Sequence, residues 1–210
     1  MAVLDLVARR IPVPTNDDCV RVGIDGPDAS GKTFFADGLA ATLREQGRPV
    51  VRVSVDDFHH VRAVRYRLGR GSPEGFWLHA FDYGRLRIDV LDPLAPGGSR
   101  RYRPRAHDLA TDAVLHPEPI LAPPGAVLIV DGLFLHRDEL RNAFDLTVFL
   151  DVPFEVTGRR MAHRDGIDGP DLHRYVEAQR IYFAACTPQA MATILIDNTD
   201  PALPRLVRPS

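Results

Sequence analysis

The chain has 210 residues and a formal net charge of −2, with the apolar (45%) and charged (26%) shares of an ordinary globular protein. That balance leaves no basic surplus for a nucleic-acid or membrane-surface partner, and no run reaches the ~18 apolar residues of a membrane-spanning helix. Two cysteines, Cys19 and Cys186, are too few for a disulfide framework or a thiolate metal site. They point to a reducing, cytoplasmic setting, and the length to one domain over 1–210.

Residues 1–10 are amphipathic but lack the apolar core and cleavage site of a signal peptide. Residues 20–25 read as a buried strand that enters a loop of Gly26, Pro27, Asp28, Ala29, Ser30, Gly31, Lys32 and Thr33. A helix follows over 33–46, with apolar residues at 35, 36, 39, 40 and 43 and Gly47 as its stop. Residues 50–55 form a second strand, with Val51, Val53 and Val55 on one face and Arg52, Ser54 and Asp56 on the other. Residues 59–80 read as loop with a short helix, 81–91 as a helix ended by Asp92 and Pro93, and 96–98 as a turn. Short strands over 99–102 and 113–116 suggest a hairpin projection spanning roughly 95–116.

Residues 126–130 are an uninterrupted apolar run, as in a strand covered on both faces, and end in Asp131-Gly132. A further strand spans 146–150, helices 153–163 and 171–186, and a last strand 193–196 before a proline-rich tail. Strands alternating with helices give an α/β fold whose mainly parallel sheet is covered by helices on both faces. In such sheets ligands lie at the carboxyl ends of the strands, where the glycine loop, Asp56 and Asp131 all fall.

The loop from Gly26 to Thr33 matches the P-loop pattern at every position. In a chain of this composition the pattern arises by chance roughly once in a few thousand sequences. Lys32 is the only lysine; the other 25 basic residues are arginine. A compact ammonium is kept at the one place where a planar guanidinium would not fit among phosphate oxygens. Loop N–H groups and the helix dipole converge on the same anion. The single lysine also excludes the Asn-Lys-x-Asp signature of GTPases. Lys32 is expected to bridge phosphates, and Thr33, Asp131 and Asp56 are the expected metal-side oxygens for Mg²⁺. Asp56 or its neighbour Asp57 is placed to take the proton of an attacking hydroxyl, and spacing does not choose between them.

Together these residues resemble the uridine kinase-like branch of P-loop kinases, which includes phosphoribulokinase and type I pantothenate kinase. The resemblance covers about residues 20–200. It rests on the P-loop, Asp56-Asp57-Phe58-His59, Ala80-Phe81-Asp82, Tyr102 followed by His107, Asp131-Gly132, Arg159-Arg160 leading to Arg164-Asp165, and the closing Asp197-Asn198. It implies a kinase using ATP and Mg²⁺, with Asp56 as general base. Arg160 and Arg164 would come from a helical lid near 159–170, and Tyr102 and His107 would line a nucleoside pocket on the projection.

The chain departs from the family on the acceptor side. Phe76 stands where uridine kinases carry the aspartate that grips the ribose, and Pro104 where a pocket aromatic is expected. Phe76 and Trp77 are candidate acceptor-stacking residues. The reading is therefore a small-molecule kinase, with a pyrimidine nucleoside as first acceptor. Pantothenate, nicotinamide riboside and sugar phosphates are alternatives, and a nucleotide-binding regulatory module is the rival from another class. No nucleic acid or membrane is expected as partner, and self-association stays open.

Overall fold

A computed structural model describes residues 3–14, 16–166 and 169–208. Helix α1 (Val3–Arg10) is followed by β1 (Val20–Asp25), the glycine loop and α2 (Lys32–Glu45). After β2 (Val50–Ser54) the chain does not stay extended through Asp56 as the alternation suggested. The Oγ of Ser54 accepts from the Asp56 N–H at 3.3 Å, and Val55–Phe58 coils into a 3-10 turn. A side-chain oxygen that captures a nearby N–H competes with strand pairing. Asp56 thus stands in the turn beyond the strand.

Three short helices come next: α3 (Arg62–Arg65), α4 (Pro73–His79) and α5 (Tyr83–Leu86), the last running on as a π-helical turn over Arg87–Leu91. The Ser72 hydroxyl caps α4 by accepting from the Gly75 N–H at 2.9 Å, and Pro73 occupies its first turn, where no N–H is needed. The projection is built from two small ribbons. β3 (Arg101–Tyr102) pairs with β6 (Ile120–Leu121), and β4 (His107–Asp108) with β5 (Ala113–Val114). The expected pairing of 99–102 with 113–116 does not form. Asp108 Oδ1 accepts from the N–H groups of Ala110 and Thr111 at 3.0 and 2.9 Å, and this local turn returns the chain onto His107 instead.

The remaining elements are β7 (Val127–Asp131), β8 (Leu146–Asp151), α6 (Phe154–Asp165), α7 (Gly169–Cys186), α8 (Pro188–Met191), β9 (Ile194–Asp197) and β10 (Arg205–Arg208). The sheet order is β10-β9-β8-β1-β7-β2, parallel throughout except where β10 runs antiparallel to β9. Read from sequence as a tail, β10 has the marks of a protected edge: it is short, begins with arginine and follows a proline.

Alternate residues of the strands feed two cores. Val22, Ile24, Ile129 and Val148 pack beneath α1 and α2, while Val53, Leu128, Val130 and Phe149 face an aromatic layer of Phe58, Phe81, Phe134 and Tyr182. Among the described residues no helix is long and apolar enough to cross a membrane. Cys19 and Cys186 are free thiols, both pushed up in pKa by burial.

Candidate active site

Because β1 lies between β7 and β8, with β2 beyond β7, parallel pairing brings the glycine loop, the Asp56 turn and Asp131 to one rim of the sheet. The loop lies directly on β8: a Cβ on Gly26 would stand 2.7 Å from the Leu150 carbonyl oxygen and from Ser30 Oγ. The Lys32 ammonium reaches across the loop and donates to the carbonyls of Pro27 at 2.7 Å and Gly26 at 3.2 Å. From beyond β9, Asn198 Nδ2 donates to the Ser30 carbonyl at 2.7 Å and ties the loop to the far side of the sheet.

Thr33 Oγ1 donates to Asp131 Oδ2 at 2.8 Å, and Asp131 Oδ1 accepts from Arg52 Nη2 at 3.0 Å. Arg52 is itself shared with Asp37 at 3.0 Å, so Asp131 keeps one oxygen free of the guanidinium. A hydroxyl beside a buried carboxylate is a hard-oxygen pair that suits Mg²⁺, an ion that takes few protein ligands and leaves the rest to phosphate and water. Among the described residues no group of three His, Cys, Asp or Glu side chains could hold a metal unaided. The donor set thus fits an ion that arrives with phosphate oxygens.

Lys32, Thr33, Asp131 and Asp56 line one cavity of about 350 Å³. The Asp56 carboxylate is open to solvent there, yet protein crowds its other sides. That crowding raises its pKa; the Lys32 ammonium opposes the rise, and Asp28, Asp131 and Asp57 add to it. Asp57 turns toward Arg105, 3.8 Å away, and lies outside the cavity lining. Gly132 sets how closely the two acidic segments approach. A Cβ there would lie 2.4 Å from Val55 Cβ, so only glycine lets the Asp56 turn pack on the end of β7.

His59, which the sequence left without a role, borders the same cavity. Its Nδ1–H donates to the Asp56 carbonyl at 2.8 Å, and its ring packs 4.4 Å from that of Phe81. Burial pushes its pKa down to about 4, so the imidazole is neutral near pH 7 and Nε2 is an acceptor.

The acceptor-side expectations divide. Phe76 lines the cavity. Trp77 does not: it packs edge-on to Phe134 at 5.0 Å with the Arg137 guanidinium 4.4 Å over its ring. Neither Tyr102 nor His107 is among the lining residues. Tyr102 is half-buried against the aromatic core, and His107 Nε2–H donates to Asp112 Oδ1 at 3.1 Å. The projection folds onto α3 through Asp112, which also accepts from the Arg62 N–H at 3.0 Å, and this turns both side chains into packing and bracing.

Arg160 of α6 donates to the carbonyls of Ala29 at 3.3 Å and Thr199 at 2.8 Å, clasping the glycine loop to the turn after β9. It also borders an apolar cavity of about 470 Å³ with Phe34, Pro201 and Pro204. The side chain of Arg164 lies outside the described part of the structure.

Asp25 belongs to no motif and escapes a reading of the sequence alone. Fully buried at the end of β1, it accepts from the Gly26 N–H at 2.7 Å, the Leu135 N–H at 3.0 Å, His136 Nδ1–H at 2.8 Å and the Tyr182 hydroxyl. Four donors from three segments anchor the root of the loop to β7's exit and to α7.

Residues 21–171 match the sequence profile of the phosphoribulokinase/uridine kinase family. The uridine kinase of Tolumonas auensis is 29% identical over 163 residues, covering 72% of this chain and 70% of that one. That of Escherichia coli strain K12 is 28% identical over 159 residues, with 70% and 68% covered. A solved structure described as a possible uridine kinase from Bacillus stearothermophilus superposes with a TM-score of 0.71 at 27% identity, covering 91% of this chain and 96% of that one.

Proposed function

The chain belongs to the phosphoribulokinase/uridine kinase family, and on that premise we propose that it transfers the γ-phosphate of ATP to a hydroxyl of a small acceptor. The observation that carries this reading is the meeting of Lys32, Thr33, Asp131 and Asp56 in one cavity, with a carboxylate of raised pKa among them. Lys32 and the loop N–H groups bind the phosphates. Asp56 takes the proton from the attacking hydroxyl. His59 Nε2, neutral and accepting, orients that hydroxyl. Thr33 and Asp131 would hold Mg²⁺, which neutralises charge developing on the transferring phosphoryl group. The apolar cavity beside Phe34, Pro201 and Pro204 suits a nucleotide base, with Arg160 closing it. Phe34, 89% exposed, offers its ring face to that base.

A pyrimidine nucleoside is the acceptor suggested by the relatives' names. The purely regulatory reading is disfavoured because a binding module has no use for a carboxylate facing the phosphate site. The test is release of ADP over a panel of hydroxyl compounds, with uridine and cytidine included. ATP turnover indifferent to every acceptor would sink the proposal.

A further inference from the structure

A second cavity of about 270 Å³ adjoins the phosphate cavity and shares His59, Phe76, Leu109 and Tyr175 with it. Its far wall is arginine: Arg62 and Arg65 of α3, Arg70 beyond it, and Arg174 of α7. Among the described residues one carboxylate, Asp112, pairs with these four side chains, through Arg65 at 3.3 Å. Arg174 is 6% exposed and has no carboxylate partner among the described residues; it lies over the rings of Phe76 at 4.9 Å, Tyr66 at 5.3 Å and Tyr175 at 5.3 Å. The Nε–H groups of Arg65 and Arg174 are buried and unpartnered. Buried polar groups are nearly always satisfied, and a buried cation needs a counter-charge more than a ring face supplies.

Resting on the kinase reading, we propose that the acceptor carries an anion, a phosphate monoester or carboxylate, held by Arg65, Arg70 and Arg174 while its hydroxyl meets Asp56. Forked guanidinium donors match the oxygens of either group. Phe76 borders both cavities, so in this reading it lies between the two ends of one small molecule. Phe76 also removes the carboxylate that would have gripped a ribose and that would have repelled an anion here. A hydroxy acid or a sugar phosphate fits this layout, and an uncharged nucleoside leaves the arginines unmet.

The experiment compares charged and neutral partners of one skeleton: glycerol against glycerate and glycerol 3-phosphate, and ribose against ribose 5-phosphate, with uridine as the nucleoside arm. ADP release is measured for the full chain, and calorimetric titration of the same compounds into protein saturated with ADP and Mg²⁺ reads binding without transfer. Charged members should bind at least about tenfold more tightly than their neutral partners, a difference worth about 1.4 kcal/mol. The glycerate and glycerol 3-phosphate arms tell carboxylate from phosphate. Arg174→Gln should raise the KM of the charged acceptor about tenfold or more and leave that of ATP within about twofold. Arg70→Gln, at an exposed position, should act in the same direction if Arg174→Gln fails to fold.

Neutral members served as well as charged ones would overturn the proposal, and so would an arginine effect that falls on ATP or on both classes alike. Arginine-dependent binding without transfer would leave the subsite standing and remove the kinase reading. Transfer to uridine, untouched by the arginine variants, would do the reverse.

Discussion

The two ends of the cavity are made differently. The donor end is assembled from strand termini and one glycine loop, with backbone groups aimed by regular elements. The proposed acceptor end is walled by the short helices and by one face of α7, with Arg174 stacked on rings and Arg65 held by Asp112. A phosphate is the same in every reaction of this kind, so a fixed backbone cradle suffices. Acceptors differ, and side chains on short elements can be exchanged without disturbing the sheet. Changes at the donor end should therefore remove turnover, while changes at the acceptor end should redirect it.

Asp56→Asn gives the largest expected effect. Removing a general base lowers turnover about 10²- to 10⁴-fold, and ATP binding should persist because the loop is untouched. The same variant has a signature in stability. Burial raises the folded pKa of Asp56 above its usual 3.8. The folded state therefore holds its proton more tightly than the unfolded state between those values, and stability falls as pH rises through that window. At neutral pH Asp56→Asn should melt higher than the parent protein, with the gap closing as pH drops below 3.8. Turnover of the parent protein should fall on the acid side as Asp56 protonates. An unchanged or lower melting temperature at neutral pH would contradict the crowding of this carboxylate.

Gly132→Ala is next. The clash is with Val55 Cβ, which no rotamer can move, so the Asp56 turn must shift away from Asp131. A misplacement of about 1 Å can cost on the order of 10²-fold in rate. Turnover should fall by about that much, ATP affinity much less, and Val55→Ala should rescue only in part because its Cβ remains. Asp131→Asn then probes the oxygen pair with Thr33. The Mg²⁺ concentration for half-maximal turnover should rise about 10- to 100-fold, measured by metal titration at saturating ATP. An unchanged requirement would move the metal site elsewhere.

Legibility follows the same divide. The glycine loop, the alternation of strands and helices, and the apolar run that ends at Asp131 were readable because local pattern and backbone geometry go together: glycines at fixed offsets, apolar runs, a helix start. Asp56 was readable as a candidate, and what sets it apart from Asp57 is the turn that Ser54 induces, which leaves Asp56 lining the cavity and Asp57 facing Arg105. Asp25 was invisible, since its partners Leu135, His136 and Tyr182 are more than a hundred residues away in sequence. Three arginines of the wall, Arg62, Arg65 and Arg70, fall in one local cluster that a solvated face or a phosphate-facing loop would equally explain, and Arg174 stands far from it in sequence. Arg65 and Arg174 meet because α4 packs on α7 and brings Phe76 beneath Arg174, and no spacing in the chain encodes that. Trp77, Tyr102 and His107 mark the opposite case: motif position suggested a pocket, while the aromatic layer and Asp112 claimed the side chains.

Tyr102→Phe is the smallest expected effect and bears most directly on that last point. Tyr102 lies in the β3–β6 ribbon, half-buried against the core, with burial raising its hydroxyl pKa. Losing the hydroxyl while keeping the ring preserves that packing, so acceptor KM and kcat should stay within about twofold, inside the scatter of a surface-type change. His107→Gln should do more at one remove. Asp112 would lose a donor, and Arg65 would be less firmly held, so KM for an anionic acceptor should rise while kcat and the KM of ATP hold. If Tyr102→Phe instead raised acceptor KM tenfold and His107→Gln did so for neutral nucleosides too, the projection would be closing over the acceptor. The division between a backbone-built donor end and an arginine-walled acceptor end would then have to be redrawn around it.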